Sequence, residues 1–335
     1  MVYEYANRLV EKGYLVSVVH GCRFRTDANT ETRIRLFFRY LKCIFSRSYH
    51  PRNWMEVDRR VNVCWTPSLA EHWIEDGDIV FATSWETAEW VAGYPLEKGK
   101  KMYLIQHLED WSGPKGRVLA TWKLPLKKIV ISKWLAQQAE ALDEEVIYIP
   151  NGLDKEEFGI DVPIQERNPL HILGMYSEKK WKGSDIAIEA AALVRHRRPD
   201  IKMTLFGTCP RPDSIPGWIA YIENPKRSEL RSIYNQASIF IASSFTEGWG
   251  LPPCEAMLCG CAVVATDIGG YREFCHDEET ALIVPVGDPQ AMADAIERFI
   301  SNPELCRKIA MQGNDHISIF DWDKAAEKLV EAIND

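Results

Sequence analysis

The stretch Ser243–Gly270 reads SSFTEGWGLPPCEAMLCGCAVVATDIGG and decides the fold of the second half of the chain. An apolar strand at 238–242 leads into it, and Pro252 and Pro253 then open a short helix that ends at Gly260. Proline is tolerated at a helix start because its missing N–H would be unpaired there. The remaining free N–H groups of that helix, with its positive dipole end, predict an anion site at the carboxyl edge of a sheet.

Glycines and carboxylates surround the start of this helix. Gly248 and Gly250 permit a ligand to approach the backbone closely. Glu247 and Glu255 frame the turn, and a carboxylate can accept hydrogen bonds from two neighbouring hydroxyls at once. The pattern therefore predicts a site for a phosphate ester that also carries a diol.

Outward from this stretch, apolar runs of strand length alternate with amphipathic runs of helical spacing. The predicted strands are 15–19, 79–82, 102–105, 128–131, 146–149, 170–174, 201–206, 238–242, 262–265 and 281–284. The predicted helices include 86–92, 133–142 with Ser132 as N-cap, 183–196, 228–236, 253–259 and 289–300. This alternation predicts the α/β class, with two doubly wound, Rossmann-like domains of parallel strands joined by the polar stretch 155–169.

The beginning of the chain departs from this pattern. Residues 3–12 form a helical pattern with Gly13 as its C-cap, and the first predicted strand comes after it. A doubly wound domain normally begins with a strand and a glycine-rich turn. We therefore expect the first domain to lack its initial strand.

Composition excludes several classes of protein. The chain has 335 residues, of which 46% are apolar and 26% charged, as in a globular protein of about two domains. Its apolar runs are shorter than the ~18 residues of a spanning helix, and the charged N-terminus is unlike a signal peptide, so a cytoplasmic protein is expected. Nine cysteines without a CxxC motif, and eight histidines without ligand spacing, argue against a disulfide scaffold and a structural zinc site.

Charge is concentrated in one segment. The net charge is −8, yet residues 31–60 carry eight Arg or Lys residues, three Asp or Glu residues and the run RLFFRYLKCIF. An acidic protein of this kind is not expected to bind nucleic acid. The segment predicts peripheral contact with an anionic membrane surface or with an anionic acceptor, and a solvated amphipathic helix is the alternative.

Several motifs together resemble the retaining glycosyltransferases of family four, the glycosyl transferases group 1. Glu247 and Glu255 stand at the two ends of a Glu-x7-Glu signature of that family. IPNGLD at 149–154, WKGSDIAIEA at 181–190 and FDWDKAAEKL at 320–329 are similar to further family motifs. The resemblance covers the second half of the chain and, more weakly, residues 1–150.

The resemblance implies a GT-B fold, in which two Rossmann-like domains face each other across a cleft. Residues 1–160 would form the acceptor-side domain, 161–318 the nucleotide-sugar-binding domain, and 319–335 a helix that crosses back to the first. The implied activity is retaining transfer of a sugar from a nucleoside diphosphate sugar to a glycan or lipid-linked acceptor, without a metal or another cofactor.

The resemblance also implies roles for individual residues. Glu255 would hold the ribose hydroxyls of the donor, and Glu247 would contact hydroxyls of the transferred sugar. Lys182 would neutralise the diphosphate leaving group, and His107 would lie near the transferred sugar. The implied donor pocket is completed by Gly248, Trp249, Gly250, Leu251, Gly269 and Gly270. Where the family has an arginine after Gly174, this chain has Met175, and Lys179 or Lys180 is the candidate replacement.

Other interpretations of these residues stay open. Glu255 could complement a helix dipole, Lys182 could be a surface lysine and His107 a hydrogen-bonded core residue. Glu109 and Asp110 either face an acceptor or are solvated, and Asp321-Trp322-Asp323, which imitates a metal-binding DxD motif, is interpreted as part of the terminal helix. At the level of function, the alternatives are a non-catalytic nucleotide-sugar-binding protein or a fragment needing a partner, and a nucleotide-sugar epimerase or hydrolase.

Overall fold

The computed structural model describes residues 1–22, 30–51 and 55–335. The described chain divides into two compact units. Unit 1 comprises Met1–Gly152 and Trp322–Asp335, and unit 2 comprises Leu153–Asp321. The chain thus changes units at Leu153 and Trp322, rather than at the predicted 161 and 319.

Unit 1 contains two parallel sheets. Its strands are β1 (Ser17–Gly21), β2 (Asn62–Thr66), β3 (Ile79–Ala82), β4 (Lys100–Ile105), β5 (Lys127–Val130) and β6 (Ile147–Tyr148). Its first helices are α1 (Val2–Glu11), α2 (Thr30–Ser46), α3 (Trp85–Ala92), α4 (Lys115–Thr121) and α5 (Lys133–Glu140). β1 pairs with β2, and the other strands form a sheet in the order β3-β4-β5-β6. As predicted, Ser132 caps α5, because its side chain accepts a hydrogen bond from the Leu135 N–H.

Unit 2 is built on one parallel sheet of six strands. The strands are β7 (His171–Met175), β8 (Lys202–Gly207), β9 (Ala220–Glu223), β10 (Ile239–Ala242), β11 (Ala262–Thr266) and β12 (Leu282–Val284). The helices are α6 (Ser184–Arg197), α7 (Arg227–Gln236), α8 (Leu251–Leu258), α9 (Pro289–Ser301) and α10 (Pro303–Ile317). The order β12-β11-β10-β7-β8-β9 is that of a doubly wound dinucleotide-binding sheet, so the predicted α/β fold class is confirmed.

The burial of the central strands of unit 2 explains why their apolar runs predict strands. Every residue of β10 and β11 is buried, as expected for parallel strands covered on both faces. Their side chains join those of α6 and α9 in one core, which includes Ile239, Ile241, Val264 and Phe299. Burial of this core positions the carboxyl ends of the strands, where the loops carry the polar residues.

Four elements were not predicted from the sequence: β2, β9, α4 and α10. β9 is a sheet-edge strand of four residues whose first and last residues are exposed, so it lacks an apolar run. β2 has five residues and one fully buried position. α10 begins two residues after α9 ends, and Asn302 between them caps it through the Leu305 N–H. The sequence gives only a weak signal for such elements, because apolar and polar residues are not clearly separated in them or because the connection to the preceding helix is very short.

The polar stretch 155–169 is not a loose linker but part of unit 2. Phe158 is buried, and its ring lies 6.0 Å from that of Tyr234. The buried Arg167 donates hydrogen bonds to the carbonyls of Ala237 and Cys259. Burial of a guanidinium is tolerated because its donors are satisfied by backbone oxygens. The sequence shows the positive charge of Arg167 but not the backbone carbonyls that accept its hydrogen bonds.

The terminal helix α11 (Trp322–Asn334) belongs to unit 1 and packs on α1. The ring of its Trp322 meets Tyr5 edge-on at 5.4 Å. Asp323 Oδ1 accepts a 2.8 Å hydrogen bond from Arg8 Nε. Asp323 therefore serves packing of α11, in line with the structural interpretation of the DxD-like motif.

The basic segment predicted at 31–60 forms helix α2 over much of its length. Phe37, Phe38 and Phe45 are 57%, 66% and 85% exposed there. The side chain of Arg33 and the whole of Arg52 lie outside the described residues. Across the described part of the chain, no helix combines the length and apolar character that a membrane crossing requires.

Candidate functional site

The predicted site lies at the switch point of the unit 2 sheet. β7 and β10 are neighbours, and the strand order reverses between them. In open α/β sheets, ligands bind beyond the carboxyl ends of the strands at such a point. The loop after β7 carries Lys182, and the loop after β10 carries Glu247.

Gly183 permits the close approach of these two loops. Its φ is +63°, and a Cβ on it would lie 2.1 Å from the carbonyl oxygen of Ser243. The adjacent backbone is tied as well, because the Phe245 N–H donates to the Trp181 carbonyl at 2.7 Å. A glycine directly after Lys182 is thus a geometric requirement, since any side chain would separate the loops.

Lys182 and Glu247 form an ion pair across these loops. Lys182 Nζ lies 2.6 Å from Glu247 Oε1, and the two side chains are 21% and 12% exposed. Ser244 Oγ donates a 2.8 Å hydrogen bond to the same oxygen. The lysine is therefore held in place and its charge is balanced by a carboxylate that a ligand could displace.

Glu255 lies in a different environment. It is the fifth residue of α8, beyond the first turn, so its interpretation as a simple complement to the helix dipole is wrong. Its side chain is 9% exposed, and Tyr234 donates a 2.8 Å hydrogen bond to Oε2. Burial raises the pKa of Glu255, while Tyr234 and the positive charge of Arg227 oppose this rise.

Close packing explains the glycines around these carboxylates. Gly250 has a φ of +105°, and a Cβ on it would lie 2.4 Å from the ring of Tyr271. A Cβ on Gly270 would lie 2.4 Å from the Glu247 carbonyl oxygen, so the absence of a side chain at Gly270 lets the Glu247 loop pack closely against it. Gly248 is buried, whereas Gly269 and Leu251 are partly exposed.

The side chain of Trp249 packs in the core beside this loop. It is 3% exposed, and its ring meets Phe320 edge-on at 5.1 Å. Phe274 lies on another side of the indole at 6.0 Å. The tryptophan side chain thus anchors the loop in the core.

Lys179 and Lys180 both line a pocket of about 300 Å³ at the start of α6. Tyr176, Asp185 and Ser214 complete much of its wall. Lys179 Nζ lies 5.1 Å from the centre of the Trp181 ring, a distance typical of a cation–π contact. Both lysines are exposed, while Met175 at the end of β7 is partly buried.

His107 belongs to unit 1, where it follows β4. The ring of Trp111 meets it edge-on at 4.0 Å. The backbone N–H of Glu109 donates to His107 Nδ1 at 3.4 Å. Glu109 itself is not simply solvated, because its carboxyl accepts a hydrogen bond from the Trp85 N–H.

Sequence reasoning missed three residues of the unit 2 site: Ser244, Tyr234 and Arg227. Ser244 was part of the quoted stretch, but a serine beside an acid is too common to indicate an interaction. Tyr234 and Arg227 lie on α7, and only the fold brings that helix to Glu255. Within the described ranges, no three His, Cys, Asp or Glu residues are grouped as metal ligands.

Comparison with known proteins finds a family match within the second unit. Residues 168–302 match the family model described as glycosyl transferases group 1. The phosphatidyl-myo-inositol mannosyltransferase of Mycobacterium tuberculosis is 28% identical over 213 residues, which cover 58% of this chain and 55% of that protein. The chain spans about half the length of the curated relatives it matches.

Solved structures extend the comparison to both units. Sucrose-phosphate synthase from Thermosynechococcus elongatus aligns with a TM-score of 0.71 at 16% identity, covering 98% of this chain and 91% of that one. Alr3699/HepE from Anabaena, in complex with UDP-glucose, aligns with a TM-score of 0.67 at 16% identity over 77% of this chain and 78% of that one. The resemblance predicted from the motifs is confirmed: residues 168–302 match the family model of the glycosyl transferases group 1, and the chain has the GT-B fold.

Proposed function

We propose that this chain is a retaining glycosyltransferase that takes a sugar from a nucleoside diphosphate donor bound by unit 2. The observation that carries the proposal is the Lys182–Glu247 ion pair at the switch point between β7 and β10. A cation held at this position is suited to the negative charge that builds up on a departing diphosphate. The family match of the same unit supports this assignment.

The other residues receive roles that fit their surroundings. Glu255 accepts hydrogen bonds from the ribose hydroxyls. Its carboxylate is suited to this role because the hydrogen bond from Tyr234 already fixes its position. Glu247 turns from Lys182 to hydroxyls of the transferred sugar when the diphosphate takes over the lysine. His107 contacts the sugar substrate. In this proposal Lys182 supplies the positive charge at the leaving group, so transfer proceeds without a metal ion.

For the acceptor, we propose a lipid-linked glycan or a lipid headgroup at an anionic membrane surface. The exposed phenylalanines of α2 stand among the exposed basic residues Arg35, Arg39 and Lys42 of the same helix, and Arg47 follows directly after it. Aromatic and basic side chains on one helix favour binding at the lipid interface. The relative from M. tuberculosis is named as a phosphatidyl-myo-inositol mannosyltransferase, which is consistent with a lipid acceptor.

Two assays test the proposal. Thermal unfolding with UDP, GDP, dTDP and ADP should show stabilisation by one nucleotide, and the matching nucleotide sugar should then be consumed only when an acceptor is present. In Glu255→Ala the donor KM should rise and kcat/KM fall, and an unchanged kcat/KM contradicts the role of Glu255. Donor breakdown without an acceptor indicates a hydrolase or epimerase instead.

The membrane part has its own test. Co-sedimentation with vesicles containing anionic lipid should retain the wild type and release a Phe45→Ser variant, at low and at physiological salt. Equal binding of both proteins, or binding of neither, contradicts the proposed contact and leaves a soluble anionic acceptor or a solvated helix face.

A further inference from the structure

Two strands of unit 1, β1 and β3, lie at the ends of its two separate sheets. Among the described strands, β1 pairs only with β2, and β3 pairs only with β4. The hydroxyl of Ser17, at the amino end of β1, donates a 3.1 Å hydrogen bond to Oε2 of Glu75, which stands a few residues ahead of β3. The two sheet ends are therefore neighbours at the start of both strands.

Both strands direct backbone groups away from the one partner that they have. The carbonyl of Val16, just ahead of β1, accepts a hydrogen bond from β2, and the carbonyl of Asp78, just ahead of β3, accepts one from β4. Bonding residues alternate along a parallel strand, so the N–H and C=O groups of Val19 in β1 and of Phe81 in β3 point away from these partners. Such an edge is a template for pairing with a further strand.

The strand β3 has the sequence of a central strand but not the burial of one. Its residues read IVFA, while those of β10 read IFIA. All four residues of β10 are buried between two neighbouring strands, whereas Ala82 alone is buried in β3. In β1, Val18 and Val19 are also only partly buried. Both edges thus keep apolar surface whose burial would be favourable.

The sheet of unit 2 shows what fits between two edges of this kind. There β7 lies between β8 and β10 and pairs in parallel with both. β8 follows the first helix of unit 2, as β1 follows α1, and β10 opens the other half of its sheet, as β3 does in unit 1. The position of β7 has no equivalent among the described strands of unit 1. Residues 176–183 join β7 to α6, so an equivalent strand would lead into α1.

We propose that the edges of β1 and β3 form a slot for one further parallel strand, an apolar segment of about five residues that leads into the amino end of α1. The order then becomes β2-β1-new strand-β3-β4-β5-β6, which reverses at the inserted strand as the order of unit 2 reverses at β7. The backbone groups of Val19 and Phe81 gain partners, and the apolar surface of both edges is covered. The slot is independent of the unit 2 site.

Amide hydrogen exchange of the unmodified chain, followed by NMR, gives the first test. Val18 and Val80 stand at the alternate positions that bond to β2 and β4. Their amides should exchange at least about tenfold more slowly than those of Val19 and Phe81, which face the slot. Equal protection of the four amides would mean that both edges are already covered, and it would overturn the proposal.

A strand supplied at the proposed position gives the second test. In a fusion protein, a copy of residues 168–183, which contain β7 and its loop, is placed ahead of Val2. The amides of Val19 and Phe81 should then exchange at least about tenfold more slowly, while exchange in β9 stays unchanged. The matched control is the same fusion with Ile172→Pro in the copy only. Because proline cannot donate to a sheet, this control should leave the exchange of both amides fast.

A free peptide with the sequence of residues 168–183, added in large excess to the unmodified chain, separates the remaining outcomes. Slow exchange at Val19 and Phe81 with the free peptide but not in the fusion would overturn the connection to α1 and assign the strand to a separate chain. Fast exchange in both experiments, or equal protection by the apolar copy and by the proline copy, would overturn the slot itself.

Discussion

Unit 2 and unit 1 hold their key carboxylates in opposite ways. In unit 2, Glu247 is paired with the Lys182 ammonium at 2.6 Å and with a serine hydroxyl. In unit 1, Glu109 is bonded to a backbone N–H and stands near a second acid, Glu86, so burial leaves its pKa at about 7. The first arrangement keeps a fixed positive charge ready for an anionic ligand. The second makes the contribution of Glu109 to stability depend on pH.

The largest effect is expected from breaking the charged arrangement of unit 2. Lys182→Ala should lower kcat of sugar transfer by about 10²–10³-fold, because the leaving diphosphate loses a preorganised cation. Steady-state kinetics with the donor found by thermal shift measure this. Lys308→Ala, an exposed lysine on α10 of the same unit, is the control. Similar losses in both variants contradict a specific role for Lys182.

The close approach of the two loops can be broken without touching a charge. Gly183→Ala forces a left-handed residue and a contact of 2.1 Å with the Ser243 carbonyl, so we expect a loss of about 2–4 kcal/mol in the free energy of unfolding. Chemical denaturation measures the change. Gly217→Ala is the control, since a Cβ there meets nothing within 4 Å. Equal stability of the two variants contradicts the requirement for glycine.

The environment of Glu255 refines the comparison between the two units. Glu255 is a buried acid in unit 2, the unit in which the carboxylate of Glu247 has a charged partner. Tyr234→Phe removes a hydrogen bond that lowers the Glu255 pKa, so this pKa should rise further. The donor KM should increase about tenfold, and more at pH 6 than at pH 8, because a protonated carboxyl holds hydroxyls less well. A KM change that is equal at both pH values argues for lost packing alone.

A pH-dependent effect is expected from the stability cost of Glu109. Its folded pKa of about 7 lies above its ordinary value of 4.5, so its stabilising contribution is complete below about pH 4.5 and is lost as pH rises through 7. Glu109→Gln should therefore gain about 3 kcal/mol relative to wild type at pH 8, and only about 1 kcal/mol at pH 5. Denaturation at both pH values checks this. A gain that is independent of pH contradicts an ionised Glu109 in the folded chain.

The same two regions show what could be predicted from the sequence. In unit 2 the fold and the site shared one signal: apolar strands fully buried in a parallel sheet, followed by glycines, prolines and two glutamates at a family spacing. Even there, Tyr234 stayed hidden, because its contact with Glu255 depends on how α7 packs. In unit 1, Glu109 was predicted only as an acceptor-facing or solvated acid. Its carboxyl accepts a hydrogen bond from the first residue of α3, and its backbone is left-handed. A glutamate in the sequence does not indicate that backbone conformation.

The most direct test of the central claim is a calorimetric titration of nucleoside diphosphates into wild type, Lys182→Ala and Glu247→Gln. If the ion pair is the diphosphate site, one nucleotide binds the wild type and its Kd rises at least tenfold in Lys182→Ala. In Glu247→Gln the Kd falls severalfold, because the lysine no longer has to leave a carboxylate. The same Kd in all three proteins would contradict the account.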